Sequence, residues 1–522
     1  MRTQKIISMN RNTIITLLLA ASAGLFTGCK KYLKETSQDE LTPSTAASLN
    51  ELLAREGYPY IATASNASDG YSLCNYLNTM DDDAFLQNID ANPVAYMKPF
   101  YGWSETVYND VAQVPLAAGS KNPYQSFYNR IRGCNTVMDL LPDVSGAAEE
   151  KDQMQGEALA LRAYYYFMLV NLYARPYNDP AHDKSTSPGV PIIDRGGISD
   201  KAVARSPVKE VYDFIAADIE KAISLLEKKR TISTLYRINY RSAWLLASRI
   251  YLHMEQWDKV LAYTGKLINE YPLITDLNAW KTPIAQAALG AGNANFIDPT
   301  NVEMLFLFTG VRYGDLGLMT TGGLSYADLI ASPELINSYE TNDMRYAAYT
   351  GSTNLPANFF LTRLSGYYMQ SKVYYNAAAS RCFRMSEAYV NRAEAYLRTA
   401  IKGGNASLLQ KGLDDLNYLR LKRFKVGAAN ATVTPASFSN DPQQALQFCL
   451  AERRREFCFE EFRWFDLRRN GMPQLVHKYD PNKTTQTTLP IETYTLPQGG
   501  NRYVMKIPDN AMTANSLLAQ NP

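Results

Sequence analysis

The chain has 522 residues, and its 53 lysines and arginines nearly balance its 51 aspartates and glutamates. This balance provides no basic surface field for a phosphate backbone, so the composition excludes nucleic acid as a partner. The length allows one large domain or two to three smaller ones. Tyrosine is abundant, at 36 residues against three histidines. Tyrosine suits recognition surfaces because its amphipathic ring loses little rotamer freedom, although a tyrosine-rich helical core accounts for many of these residues equally well.

The N-terminus has the organisation of a bacterial export signal. Three basic residues precede an apolar run at 13–26, which is too short to span a bilayer. The run leads into Phe-Thr-Gly-Cys at 26–29, the pattern of a lipobox, in which the cysteine thiol is diacylated before cleavage. We expect residues 1–28 to be removed and Cys29 to anchor the mature chain, 29–522, because two acyl chains give stable membrane attachment. An uncleaved anchor and a secretory signal with an incidental cysteine are the alternatives.

Residues 120–269 read as successive amphipathic helices. Their apolar residues recur at intervals of three and four, and Pro207 suits the first turn of one helix. The string at 247–259 is similar to the end of a tetratricopeptide repeat, and a further helix pair is predicted within 383–423. Neither helix of such a pair buries its apolar face alone, so neighbouring pairs stack. The sequence therefore predicts a mainly α fold, an α-α superhelix interrupted by irregular segments.

Two long segments differ from the helical regions in amino-acid composition. Residues 55–118 and 275–380 are rich in Gly, Asn, Thr and Tyr, with short strand-like runs at 304–308 and 372–375. Segments of this length in a compact protein are usually functional rather than simple connections. We therefore expect the ligand-binding surface there, beside the helix pairs.

Three sequence blocks resemble the SusD/RagB family of nutrient-uptake outer-membrane lipoproteins. The first block is the Gly-Glu-Ala and Leu-Arg-Ala-Tyr-Tyr-Tyr-Phe pattern at 156–167, and the second covers 384–420. The third and strongest, at 452–471, runs from Glu-Arg-Arg-Arg-Glu-Phe to Arg-Trp-Phe-Asp-Leu-Arg-Arg. Together with the lipobox, these blocks extend the resemblance over nearly the whole chain. The resemblance implies a SusD-like domain over 29–522, with an N-terminal region at about 29–230 and a C-terminal region at about 270–522.

The resemblance also implies a function. Members of this family are non-catalytic, need no cofactor, and deliver oligomeric nutrient to a SusC-like TonB-dependent receptor in the outer membrane. Base rates in the family favour an oligosaccharide ligand, while RagB-like members bind oligopeptides, and the sequence leaves this choice open. The sequence also permits a surface hydrolase or a protein-binding scaffold.

Candidate ligand contacts lie in the two irregular segments. Trp103 with Tyr101 is the preferred stacking platform, because small neighbouring residues can leave both rings exposed. Further aromatic candidates are Trp280, Tyr313 and Tyr326, and the candidate polar contacts are Asn78 and Asp81. The alternative for Trp103 and Trp280 is that each ring fills a small core beneath the loops.

The sequence offers little support for catalysis or for a metal site. None of the common hydrolase, phosphate-binding or paired-cysteine motifs is present. His253 falls in a predicted helix, while His182 and His477 are expected in solvated loops. The run Asp81-Asp82-Asp83 could bind a cation or supply a glycosidase carboxylate, but a solvated loop or helix cap is the simpler interpretation.

The third block is interpreted as a structural element rather than an active site. Its alternating charges suit a partly buried network of arginines and carboxylates above packed aromatic rings. Buried arginines need carboxylate partners, because an unpaired buried charge costs several kcal/mol. The candidate partners are Glu452, Glu456, Glu460, Glu461 and Asp466.

Overall fold

Helices form most of the described structure, as the apolar periodicity predicts. The computed structural model describes residues 43–59, 76–86, 97–112, 123–197, 201–279, 296–308, 318–321, 324–327, 329–349, 351–352, 367–368, 381–479, 481 and 489–522. The predicted lipobox and the predicted strand at 372–375 lie outside the described residues. Thr45–Pro522 is one compact unit. Within the described ranges, no helix is both long enough and apolar enough to cross a membrane.

Most of the long helices fall in the two regions in which helix pairs are predicted, 120–269 and 383–423, and a further long helix, Pro442–Phe457, lies beyond them. Numbered in chain order, the helices are α1 (Ala46–Leu52), α2 (Leu77–Met80), α3 (Val107–Ala112), α4 (Pro123–Leu140), α5 (Ala148–Tyr173), α6 (Val208–Leu226), α7 (Tyr240–His253), α8 (Trp257–Glu270), α9 (Pro333–Ser338), α10 (Arg345–Tyr349), α11 (Met385–Gly403), α12 (Ala406–Leu421), α13 (Pro442–Phe457), α14 (Arg463–Arg469) and α15 (Asp509–Ala514). The mainly α fold is thereby confirmed.

Local sequence signals set several helix ends. α6 begins directly after Pro207, as predicted. The side chain of Asn239 caps α7 by accepting hydrogen bonds from the Arg241 and Ser242 amides. Gly404 caps the C-terminal end of α11, and its φ of 62° lies in the left-handed region that glycine adopts without strain. These caps satisfy backbone groups that have no partner within the helix.

Helix α5 is the centre of the first helical region. Every residue from Gly156 to Tyr173 is buried, which shows that the helix is surrounded rather than amphipathic. Gly156 permits close packing against α6, because a Cβ at this position would lie 2.8 Å from the Leu226 side chain. The Arg162 guanidinium donates two hydrogen bonds of 2.7 Å to Asp218 of α6, so the buried charge on α5 is paired.

Short strands connect distant parts of the chain. They are β1 (Ala84–Leu86), β2 (Met304–Phe308), β3 (Leu318–Thr321), β4 (Leu324–Ala327), β5 (Leu329–Ala331), β6 (Gly351–Ser352), β7 (Tyr367–Tyr368), β8 (Arg381–Arg384), β9 (Leu475–Tyr479) and β10 (Glu492–Leu496). They pair antiparallel as β1–β5, β2–β8, β3–β4, β6–β7 and β9–β10. The predicted strand at 304–308 is confirmed as β2.

Two hydrophobic clusters divide the interior. The larger, the helical core, contains the buried faces of α4–α8 and α11–α13. The smaller core lies where the irregular segments meet the C-terminal strands, and it includes Leu86, Tyr101, Leu307 and Tyr479. Residues from both irregular segments contribute to the smaller core, so the two segments are packed together around a hydrophobic core of their own.

Candidate ligand-binding face

The structure brings the two irregular segments into direct contact. β1 from residues 55–118 pairs with β5 from residues 275–380, with Phe85 opposite Ile330. Just beyond β5, the Ser332 amide donates a 2.7 Å hydrogen bond to the Asp83 carbonyl, which extends the junction. We refer to the region built around this junction, above the smaller core, as the candidate face.

The aromatic pair expected to be exposed on this face is buried. Trp103 is 2% exposed and Tyr101 is 1% exposed. Their rings enclose the imidazole of His477, with centroid distances of 4.1 and 4.2 Å. The Trp103 indole N–H donates to the Met80 carbonyl at 2.9 Å. The prediction of an exposed platform at Trp103 and Tyr101 is therefore wrong, because β9 places His477 against both ring faces and leaves no surface for a sugar.

The prediction that His477 lies in a solvated loop is wrong, because its side chain is buried. Its two ring nitrogens lie 2.8 Å from the Tyr101 carbonyl oxygen and 2.9 Å from the Asp81 carbonyl oxygen. The ring thus ties the C-terminal hairpin β9–β10 to the loop before β1. The stacked cluster of Tyr101, His477 and Trp103 supports the candidate face from beneath.

The two polar candidates also face inward. Asn78 donates to the Phe459 carbonyl at 3.3 Å and accepts from the Glu461 amide at 3.0 Å, which holds the loop after α13. Asp81 is 1% exposed, and one of its carboxylate oxygens accepts from the Asp83 amide. Both side chains are buried, so neither offers a contact on the outer surface, although Asn78 lines an internal cavity and one Asp81 carboxylate oxygen forms no hydrogen bond.

The remaining candidates are not placed by the structure. Trp280 and Tyr313 lie outside the described residues. Tyr326 lies on β4 opposite Met319, and its side chain also falls outside the description.

The aspartate run at 81–83 is an ion-pair site, not a solvated loop. Arg463 donates two hydrogen bonds to the Asp82 carboxylate, at 2.7 and 2.8 Å, and Arg454 pairs with Asp83 at 2.5 Å. Burial and the neighbouring charges of Asp83 and Asp82 hold the pKa of Asp81 well above its usual value. One ligand atom from each aspartate lies within 4.8 Å of the others. Because arginines already neutralise two of the three carboxylates, this arrangement does not favour a cation site.

Beneath the candidate face lies a buried network of arginines and carboxylates, as the third sequence block predicts. The arginine–carboxylate network consists of Arg345, Arg384, Arg420, Arg423 and Arg455 with Glu303, Glu452 and Glu456. It joins α10, β8, α12 and α13 and the residue preceding β2.

Two glutamates are the centre of this network. Glu456 contacts three arginines, with the nearest guanidinium nitrogen of Arg384 at 2.6 Å. Burial alone would raise the pKa of Glu456, but Arg423, Arg384 and Arg345 hold it well below its usual value. Burial likewise opposes ionisation of Glu452, and surrounding arginines hold its pKa below the usual range. Both side chains are fully buried, so the network holds ionised carboxylates in the interior.

A cavity borders the helical core. Its walls come from α5, α7, β2, β8 and the loop that follows α13, and it has about 50 Å³ of space for water. Arg381 and Glu461 form a buried ion pair in its lining. Burial raises the pKa of Glu461 to about 7, against the opposing effect of Arg381.

The chain and its fold are similar to known proteins over most of their length. Residues 31–252 match a family model described as starch-binding and associating with the outer membrane, and residues 334–522 match the SusD family model. This chain belongs to the SusD family.

Individual SusD-family relatives extend this similarity. SusD-like protein P38 from Formosa agariphila is 22% identical over 504 residues, which cover 88% of this chain and 92% of the relative. The fold is similar to a SusD-like carbohydrate binding protein from Bacteroides vulgatus, with a TM-score of 0.68, 19% identity and coverage of 91% and 97% of the two chains. A SusD superfamily protein from Bacteroides thetaiotaomicron gives a TM-score of 0.65 at 21% identity, covering 92% and 100%.

Several residues that shape the candidate face in this SusD-family chain escaped sequence reasoning. Arg345, Glu303 and Arg381 join the buried ion pairs, yet they lie in irregular sequence without a recognisable motif. The excess of arginine over carboxylate at 452–469 indicates carboxylate partners elsewhere in the chain, which the structure supplies as Asp82, Asp83 and Glu394, but it gives no signal for Arg345, Glu303 or Arg381.

Proposed function

We propose that this SusD-family chain is a lipid-anchored outer-membrane protein that binds oligosaccharide and delivers it to a SusC-like TonB-dependent receptor. The family match over residues 31–252 and 334–522 carries the proposal, because one matching model is described as starch-binding and one similar structure as carbohydrate binding. Both descriptions name binding rather than catalysis. An oligopeptide ligand is the alternative that the experiment below can reveal.

The tryptophans narrow the search for the sugar-stacking residue. The chain has five tryptophans, and the four within the described residues are all buried: Trp103, Trp244, Trp257 and Trp464. A sugar ring stacks on an accessible aromatic face, which none of these four provides. We therefore retain Trp280, with Tyr313 and Tyr326, as the proposed aromatic contacts.

Glycan binding can be tested by titrating the purified protein with a panel of oligosaccharides in a calorimeter. We expect a saturable isotherm for at least one glycan, with the same glycan recovered uncut by chromatography. Trp280→Ala should weaken binding by about 1–3 kcal/mol, the usual contribution of an aromatic hot spot, and should leave the unfolding transition in place. If the protein binds peptides and no glycan, its ligand is an oligopeptide. If the glycan is cleaved, the protein is a hydrolase rather than a binding protein.

The membrane anchor is proposed from the lipobox at 26–29 and the diacylation of Cys29. We expect the native protein to fractionate with the outer membrane and to carry an acylated N-terminal cysteine in mass spectrometry. Cys29→Ala should release the protein, because its attachment depends on the acyl chains. A variant that stays membrane-bound in cells lacking the receptor would contradict the anchor assignment.

The receptor contact is proposed for the outer faces of the helix pairs at 120–269 and 383–423. These faces carry exposed ion pairs such as Lys228–Asp152 and Lys259–Glu220, together with exposed apolar residues such as Leu421. Stacked helix pairs of this type provide extended surfaces for a protein partner. The candidate face is then left for nutrient.

A further inference from the structure

The cavity behind the candidate face contains a histidine whose hydrogen-bonding groups are unused. His253, at the end of α7, is 5% exposed and lines the cavity. Its ring meets the edge of Phe167, with centroids 4.8 Å apart. Among the described residues, none forms a hydrogen bond with either ring nitrogen, and neither nitrogen belongs to the fully enclosed polar atoms that lack a partner, so both retain some accessible surface. Polar groups that line a cavity and form no hydrogen bond within the protein are available to a bound water or ligand.

The charge around His253 defines what it can bind. Burial and the nearby cations Arg469, Arg453 and Arg249 hold the pKa of His253 well below its usual value. The imidazole is therefore neutral and offers one N–H donor and one nitrogen acceptor. A hydroxyl group both donates and accepts, so it complements a neutral imidazole better than a carboxylate or an ammonium group does.

The cavity wall opposite the helices is a constrained loop. Phe459 and Glu461 have φ values of 59° and 68°, a left-handed conformation that is uncommon for residues other than glycine. The Asn78 side chain bridges the two residues through the Phe459 carbonyl and the Glu461 amide. Non-glycine residues held in this region cluster at functional sites. Here this conformation places the Glu461 carboxylate, paired with Arg381, in the cavity lining.

The size and the walls of the cavity fit one end of a sugar. About 50 Å³ accommodates roughly three to five water molecules, which is close to the volume of a glycerol-sized group and smaller than a whole pyranose ring. The walls combine aromatic side chains such as Phe383 and Phe462 with the polar groups of His253, Arg381 and Glu461. Aromatic surface with a few polar groups is typical of small-molecule sites.

We propose that this cavity is a binding subsite for the hydroxyl-bearing end of one sugar unit, with His253 as its hydrogen-bonding residue. The inference rests on the proposed glycan function and adds an internal subsite to the surface contacts proposed above. Arg381 and Glu461 supply further hydrogen-bond donors and acceptors to the same group.

The chain has three histidines, so ring labelling with ¹⁵N gives a simple test. Titration of the labelled purified protein with glycerol should shift the His253 signals saturably, while the signals of the buried His477 and the half-exposed His182 stay in place. Propanol, which has no adjacent hydroxyls, is the control ligand and should leave all three unchanged. A His253 signal that does not respond to glycerol would show a cavity filled by water only and would overturn the subsite.

The second test of the subsite is calorimetry with the oligosaccharide of the panel that binds most tightly. His253→Phe removes both polar nitrogens and should weaken binding about 3- to 10-fold, the value of one neutral hydrogen bond. His253→Gln keeps a donor and an acceptor and should retain most of the affinity, which guards against a phenylalanine variant that misfolds. Unchanged affinity in a folded His253→Phe variant would overturn the subsite and leave glycan binding intact. If the His253 signal responds to glycerol but the protein binds no glycan, the proposed glycan function is refuted. The cavity would then remain a binding site for small hydroxyl compounds.

Discussion

Replacing Glu456 with alanine is expected to lower the free energy of unfolding by about 3–5 kcal/mol, the usual cost of removing one partner from a buried ion pair. The Glu456 carboxylate is fully buried among Arg345, Arg384 and Arg423. Its removal leaves three guanidinium groups with one carboxylate fewer in a region without solvent. Urea denaturation of the variant and the wild type measures the difference.

A surface pair provides the matched control for Glu456→Ala. Lys228 contacts Asp152 at 2.6 Å, and its side chain is more than half exposed. Exposed ion pairs contribute little to stability, so Lys228→Ala should unfold close to the wild-type urea concentration. Equal unfolding midpoints for Glu456→Ala and the wild type would show that the arginine–carboxylate network is not essential to the fold.

The network also predicts a direction of pH dependence. Because arginines depress the pKa of Glu456 in the folded state, its contribution to stability is fully present above the pKa of an unfolded glutamate, about 4.3. The contribution is lost as the pH falls from there through the depressed folded value. The wild type should therefore lose stability in acid below about pH 4.3, and Glu456→Gln should reduce the steepness of that loss.

Trp103→Ala is expected to destabilise the protein by about 3–5 kcal/mol, the range for truncating a buried tryptophan. The ring is 2% exposed, covers one face of His477 and donates to the Met80 carbonyl. Its loss creates a cavity beneath the candidate face and leaves that carbonyl without its indole donor. The melting temperature should fall sharply, while Trp280→Ala should lower glycan affinity with little change in melting.

Comparing Trp103→Ala with Trp280→Ala shows whether Trp103 contacts the ligand or only fills the core beneath the candidate face. Trp103→Phe keeps much of the ring volume and should recover part of the lost stability. If Trp103→Ala instead melts at the wild-type temperature and binds glycan more weakly, the ring contacts ligand, and its buried position in this structure does not describe the binding state.

The helical half of this SusD-family fold was accessible from sequence because its signals are local. α6 follows Pro207, and its apolar stripe at three- and four-residue spacing indicates a helix without reference to the rest of the chain. The tetratricopeptide-like string at 247–259 likewise coincides with the end of α7 and the start of α8. Apolar periodicity predicts where the helices lie in the sequence, but it does not predict which distant segments pack against them.

The candidate face was less predictable because its contacts join residues hundreds of positions apart. Trp103 looked exposed beside small neighbours, but the residue that covers it, His477, comes from β9 near the C-terminus. Asp82 looked solvated until Arg463, which lies 381 residues away, was placed beside it. The alternating charges of the third block correctly predicted buried ion pairs, whereas partners such as Arg345 carried no signal.

The central claim, that this chain binds glycan for a SusC-like receptor, is tested most directly by purifying the native complex from its own membrane. We expect a TonB-dependent barrel to co-purify with the acylated chain, and mass spectrometry to identify a bound oligosaccharide. A barrel that carries oligopeptide would contradict the glycan assignment and keep the delivery role. Recovery of the chain without any barrel, under conditions that preserve other such complexes, would contradict the delivery role itself.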